Sequence, residues 1–180
     1  MTPLSAWTRW VLAATIGWAA TGALASLSND LNSSLGLALV AIAQWSVIRR
    51  WLHGGGMWVL VTYIAGFAGS LLGAGLIGFL GWTATAGWMG AGWNMILWAV
   101  QGAVIGAAQA FLLRKQFDGL RWWVFAHALG FALGAPMTQL IRGGALGFEG
   151  RLLSMALFGL VSSAVSGLAL VTLFSEHLTD

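Results

Sequence analysis

The chain has 180 residues, of which 59% are apolar and only 7% charged, with 26 glycines, no cysteine and a formal net charge of +3; its mean hydropathy is +0.85. A soluble domain carries about 25% charged residues, so there is too little polar surface here to clothe a water-exposed body, and the sequence reads as an all-α integral membrane protein. The same figures exclude disulfides and thiol chemistry, and eight Lys and Arg scattered along the chain do not make the dense basic face that nucleic-acid binding requires.

Met1 to Arg9 hold one basic residue and no clearly placed Ala-x-Ala cleavage signal, so the N-terminus is expected to be retained. Trp10 to Leu27 is the first expected span; its 18 residues make roughly 27 Å of helix, enough for a hydrocarbon core of about 30 Å. A polar turn, Ser28 to Ser34, leads to the second span, Leu35 to Trp51, which carries Arg49-Arg50 at its end. His53-Gly54-Gly55-Gly56 stops that helix. Trp58 to Leu80 is the third span. Gly81 to Trp93, rich in Gly, Thr and Trp, is expected to be irregular, and Asn94 to Leu113 is the fourth span. A charged turn, Arg114 to Arg121, precedes the fifth span, Trp122 to Ile141; the sixth is Leu152 to Phe174, followed by a polar tail.

Six spans put both termini on one side. Arg9, Arg49, Arg50, Arg114, Lys115 and Arg121 fall on that side and only Arg142 and Arg151 on the other, which predicts N-in, C-in topology in the inner (cytoplasmic) membrane. Tryptophans at span ends, among them Trp7, Trp10, Trp51, Trp58, Trp82, Trp93, Trp122 and Trp123, read as an interfacial belt.

A shift of 65 residues lays Gln44-x4-Arg49-Arg50 on Gln109-x4-Arg114-Lys115, and Asn29 on Asn94, Ala41 on Gly106 and Trp58 on Trp123. The odd spans begin alike, with Trp10-Val11-Leu12, Trp58-Val59-Leu60 and Trp123-Val124-Phe125. The sixth span keeps small residues at Gly159, Ser163 and Gly167 and has Ser166 at the place of Gln109. Composition alone makes Gly/Ala/Leu/Trp-rich helices resemble one another. The joint recurrence of the glutamine, the basic end and the following Trp favours three tandem helical hairpins in one transmembrane domain, about 1–55, 56–118 and 119–180, all in the same orientation.

Residues seven apart share a helical face, so Gly102, Gly106 and Gln109 form one stripe, repeated in part by Ala41 and Gln44. Gly17, Gly130 and Gly134 offer matching small positions on the odd spans. Small residues let helix backbones approach closely where lipid supplies no hydrophobic drive, and an intramembrane amide turns inward to find a partner. These residues are therefore expected to be packing positions first, with Gln44 and Gln109 as interhelical ties. His127 is the titratable side chain well inside a span. It reads as a core or interface histidine, as a cofactor-binding axial ligand to a tetrapyrrole, or as a group that handles protons or substrate. A second intramembrane histidine is absent, which argues against a bis-His haem in one protomer.

No Asp, Glu, Lys or Arg lies near the middle of any span, where ion-coupled transporters and proton relays place one. Nor is there a nucleophile–base pair, a HExxH motif or a Gly-rich phosphate loop. Enzymatic function is not expected.

The segment Gly-x3-Gly-x2-Gln-x4-Arg followed by a Trp-initiated span, complete in Gly102, Gly106, Gln109 and Arg114 and partial in Ala41, Gln44 and Arg49 with Leu37 for the first glycine, resembles small prokaryotic multi-pass membrane proteins in which such segments recur. The resemblance covers about two thirds of the chain and implies a protein of repeated hairpins, with no activity attached. Gross topology and the ridge Ala13, Gly17 and Thr21 are also similar to the substrate-binding subunits of energy-coupling vitamin transporters. The expected role is a structural or accessory subunit among membrane lipids, packing against other integral membrane subunits or itself. A complex holding tetrapyrrole, carotenoid or quinone is one form of this role. The alternative is an uptake component for a small molecule, with Gly81–Trp93 as an outer lid and Trp88, Trp93, Asn94 and Gln101 lining the pocket.

Overall fold

In a computed structural model the protein is described over residues 2–27, 32–49, 56–79, 88–140 and 147–174. Among these residues the chain forms six α-helices: α1 (Pro3–Leu27), α2 (Asn32–Ile48), α3 (Gly56–Phe79), α4 (Trp88–Leu113), α5 (Leu120–Leu140) and α6 (Phe148–Phe174). Three of them are long and apolar enough to cross a membrane, over Gly56–Leu76, Gly92–Leu113 and Phe148–Leu173. Asn29, Arg50, Trp51, His53, Trp82, Arg142, His177 and the 81–87 part of the expected lid lie outside the described residues.

Several helices start earlier than hydropathy suggests, for local reasons. Pro3 stands at the first helical position, where its missing N–H costs nothing, and the Thr2 hydroxyl accepts from the Ser5 amide at 3.3 Å, so the cap extends α1 seven residues before Trp10. Glu149 sits in the first turn of α6, where a negative charge meets the positive end of the helix dipole. Residues 88–93, expected to be irregular, form the first turns of α4. Between α4 and α5 the Leu113 carbonyl accepts from the amides of Gln116 and Phe117, and Gly119 turns the chain at φ 72°, a left-handed value that glycine takes without strain.

The helices form a ring: α1 packs on α2, α2 on α3, α3 on α4, α4 on α5, α5 on α6, and α6 returns to α1. The α2–α3 junction is the most sparsely packed of these. α1 lies antiparallel along α6 over most of its length. Trp7 donates its indole N–H to the Ala164 carbonyl at one end (3.1 Å), and at the other Arg151 donates to the Ala25 carbonyl. α5 lies along α4 in the same manner, with Gly106 against Val124 at one end and Asn94 reaching Ala135 at the other.

Burial is inverted relative to a water-soluble bundle. Every helix turns large apolar side chains outward, for example Leu12 and Ile16 on α1, Ile42 on α2, Phe67 on α3, Phe111 on α4, Phe125 on α5 and Leu168 on α6, whereas Thr21, Gln44, Thr62, Gln109, His127, Ser162, Ser163 and Ser166 are buried. The interior holds two clusters. One gathers Trp10, Trp58, Trp123, Ile48, Leu113 and Leu170; the other is built on Trp18, Phe131 and Phe158 with Leu37, Val40, Ala65 and Ile105.

Candidate functional site

The polar centre of the ring is the Gln109 amide, 0% exposed. An indole N–H can only donate, so the Trp123 Nε1–H that meets Gln109 Oε1 at 3.1 Å fixes the orientation of the amide. Gln109 Nε2 then donates to Thr62 Oγ1 at 2.9 Å and, at a longer 3.4 Å, to Gln44 Oε1. One side chain thus ties α2, α3, α4 and α5. A related bond closes the other side of the ring: Trp10 Nε1 donates to Ser166 Oγ at 3.1 Å. Three buried indoles meet around this centre, Trp10 and Trp58 each edge-on to Trp123 with ring centroids 5.7 and 6.2 Å away.

Trp10, Trp58 and Trp123 are therefore not part of an interfacial belt. They are 0%, 1% and 0% exposed and lie inside the ring, while Trp122, beside Trp123, is the one that faces out. Sequence position alone did not separate the two roles. What separates Trp122 from Trp123 is helical phase: Trp123 shares the face of buried His127, four residues on, whereas Trp122 shares the face of exposed Phe125.

His127 is 1% exposed and packs its ring on Trp123, centroids 4.6 Å apart. Its Nδ1 lies 3.0 Å from the Trp123 carbonyl, which can only accept, so Nδ1 is the donor. Nε2 is buried without a partner among the described residues. That atom is enclosed, so axial ligation of a tetrapyrrole there would require the bundle to open.

The expected packing glycines are at close helix contacts. A methyl group added at Gly17 would lie 2.8 Å from Val40 Cα, at Gly106 3.0 Å from Val124 Cα, at Gly130 2.6 Å from the Ser162 carbonyl oxygen, and at Gly134 2.8 Å from the Phe158 ring. At Gly102 it would meet the His127 carbonyl and, 2.9 Å away, Phe131 Cβ.

The residues expected to line an uptake pocket do not converge. Gln101 Nε2 turns to α3, donating to the Gly66 carbonyl at 3.2 Å and Ser70 Oγ at 2.9 Å. Asn94 Nδ2 turns to α5, at 3.4 Å from both the Ala135 carbonyl and Thr138 Oγ1. Trp93 is half-buried, and Trp88 opens α4 with its side chain outside the described residues.

Five cations among the described residues collect at one end of the ring. Arg49 and Arg114 each follow a member of the bonded Gln44–Gln109 pair by five residues, and Arg9 and Arg121 flank the touching Trp10 and Trp123. Lys115 completes the set, and all five are exposed. Three of the arginines lie over aromatic rings, Arg49 over Trp45, Arg114 over Phe111 and Arg121 over Trp122. Compared with known proteins, the chain matches no family model, no curated protein and no solved structure.

Proposed function

We propose that all six helices span the inner membrane as three tandem hairpins, N-in and C-in, and that the protein is a non-enzymatic accessory subunit that packs in a larger membrane complex. Support for six spans comes from the neighbours. α1 and α5 are not apolar enough to qualify by composition and α2, at 17 residues, is an apolar helix too short to qualify, but α1 runs beside α6 and α5 beside α4, and each of the three turns large apolar residues outward. Equivalent bonds support the hairpin repeat, because Trp123 and Trp10 each donate to the polar residue of the preceding even helix around the ring. The basic end supports the orientation, since cytoplasmic loops carry the excess of Lys and Arg.

One observation carries the accessory role. The side chains of Asn94, Gln101, Gln109 and Ser166 are spent on neighbouring helices, yet the far half of α3 leaves Ala74, Gly75 and Gly78 uncovered. A methyl group at Gly75 or Gly78 would meet nothing within 4 Å. An exposed small-residue face is how a membrane helix receives a partner helix. The test is gentle purification from the native membrane, an absorption spectrum, and mass spectrometry of what co-migrates. Stoichiometric membrane subunits are expected, lost from the Gly75→Leu and Gly78→Leu variants without loss of the folded chain; visible absorption would identify a pigment-bearing complex. A colourless, solitary protein holding a small polar molecule would overturn this role in favour of uptake.

A further inference from the structure

The three junctions between successive hairpins are not alike. At α4–α5 the Trp123 indole donates to Gln109, and at α6–α1 the Trp10 indole donates to Ser166. The corresponding pair at α2–α3 is Trp58 and Gln44, and there the bond is missing. Trp58 Nε1 is buried and has no hydrogen-bond partner among the described residues. Trp45, on the α2 side of this junction, likewise has a buried indole nitrogen without a partner. Both are donors that lack an acceptor, so what completes them must accept.

Packing changes at the same place. Seven residues before Gln109 and Ser166 stand Gly102 and Gly159, which receive Phe131 and Trp18 of the next helix. Seven before Gln44 stands Leu37, and its methyl groups fill the space over Gly66, 2.8 and 3.0 Å from where a Cβ would be. This wedge accompanies the sparsest helix pair in the ring. At the basic end of the junction the exposed Arg49 guanidinium lies 5.8 Å from the Trp45 ring centroid. Arg49 is four residues beyond Trp45, so the cation stands one turn, about 6 Å, outward of the indole.

We propose that the α2–α3 junction binds one phospholipid of the leaflet at the basic end, with its phosphate on Arg49 and its two acyl ester carbonyls accepting from the indole N–H groups of Trp45 and Trp58. A diacyl phospholipid offers the required set: a phosphate anion, two carbonyls that only accept, set back toward the apolar side by about one helical turn, and a tail to lie along Leu37 and Gly66. Both N–H groups are covered while the junction is closed. The lipid enters where the ring is least held together, and its carbonyls then satisfy donors that otherwise cost free energy in an apolar interior. The assignment rests on the hairpin-ring reading, because that equivalence identifies the missing bond.

The test is native mass spectrometry of the full chain extracted in mild detergent from membranes of phosphatidylethanolamine and phosphatidylglycerol. One phospholipid per chain is expected to survive extraction. Trp58→Phe and Arg49→Gln should each lower its retention about fivefold, the loss appropriate to one hydrogen bond or more, whereas Arg114→Gln should not. Arg49 is exposed, so its variant does not depend on refolding the core. Retention of no phospholipid, equal retention in all three variants, or a quinone or small polar molecule in its place would overturn the site. In parallel, the cysteine-free chain is labelled with an impermeant thiol reagent at Ser46→Cys and Gln116→Cys. Labelling from opposite sides would overturn the hairpin ring itself; labelling from one side with unaffected lipid retention would overturn the lipid site alone.

Discussion

Gly130→Ala is the sharpest test of how the ring is closed. Gly130 lies on α5 where it crosses α6, and an added methyl carbon would stand 2.6 Å from the Ser162 carbonyl oxygen and 3.3 Å from both Ser162 C and Ser162 Cα. All three are backbone atoms, so no rotamer change relieves the contact. Ordinary contact begins at 3.4 Å, and the helices must therefore separate by about 0.8 Å, against the dispersion attraction that holds packed surfaces together. Overpacking of this kind costs about 1–3 kcal/mol, offset by up to about 1 kcal/mol from replacing a helical glycine. Gly75→Ala is the control, because its methyl group meets nothing within 4 Å and it should be neutral or gain up to about 1 kcal/mol. Equilibrium unfolding in mixed micelles of rising SDS fraction reads both. A Gly130→Ala midpoint well below wild type with Gly75→Ala at or above it is expected. If the two variants unfold together, α5 and α6 do not approach as closely as described and the account of the glycines is wrong.

The polar centre makes its own predictions in the same assay. Double-mutant cycles for Gln109→Leu with Trp123→Phe and for Ser166→Ala with Trp10→Phe should each give a coupling near 0.6 kcal/mol, the order found for hydrogen bonds between membrane helices. The third cycle, Gln44→Leu with Trp58→Phe, should give none in lipid-free micelles, since those side chains are not bonded to each other. Gln109→Leu alone should cost about 1–3 kcal/mol by leaving the Trp123 indole unpaired. His127→Leu should cost less than about 1 kcal/mol, because it removes a nitrogen that has no partner and a donor that serves only its own helix. A His127→Leu cost above that of Gln109→Leu would show that Nε2 has a partner the packing does not reveal.

The helical, apolar character of the chain was legible because hydropathy and the scarcity of charge act on every residue at once. The inward turn of Gln44 and Gln109 was also legible, since an amide in hydrocarbon has no other way to satisfy itself. Boundaries were less so. The N-terminal extension of α1 depends on Thr2 and Pro3, which cap a helix without being apolar, and residues 88–93 are helical despite two glycines and two tryptophans. The larger error concerned tryptophan. At the end of an apolar run an indole suits the headgroup region as well as a buried polar partner, and hydropathy does not distinguish them. Trp122 and Trp123 are adjacent and face opposite ways, so the distinction lies in helical phase relative to Gln109. Reading Trp93, Asn94 and Gln101 as one lining failed to anticipate that α4 lies between two neighbours, with Gln101 spent on α3 and Asn94 on α5.

The small–large exchange between Leu37 and Gly66 sets the α2–α3 junction apart from α4–α5 and α6–α1. In lipid, helices gain little from hydrophobic burial against one another, so each junction depends on shape. Two junctions set a glycine of an even helix against the root of an aromatic side chain of the next odd helix, Gly102 against the His127 carbonyl and Phe131 Cβ and Gly159 against Trp18. Those rings then pack on each other and on Phe158 and Trp98, with Trp18 and Phe131 centroids 5.8 Å apart. The α2–α3 junction reverses the sizes, Leu37 against Gly66, and so adds no ring there to that cluster and gains no indole bond. Leu37→Gly combined with Gly66→Phe would give it the arrangement of the other two. Each single change should destabilise, one by leaving a cavity and the other by overpacking, and the pair should recover at least about 1 kcal/mol of their summed cost, the coupling expected of residues in contact. The double variant should also retain less phospholipid than wild type, because a junction closed by an aromatic ring leaves no path for the tail. Simple additivity of the two losses would mean that the exchange is not what keeps this junction apart from the others.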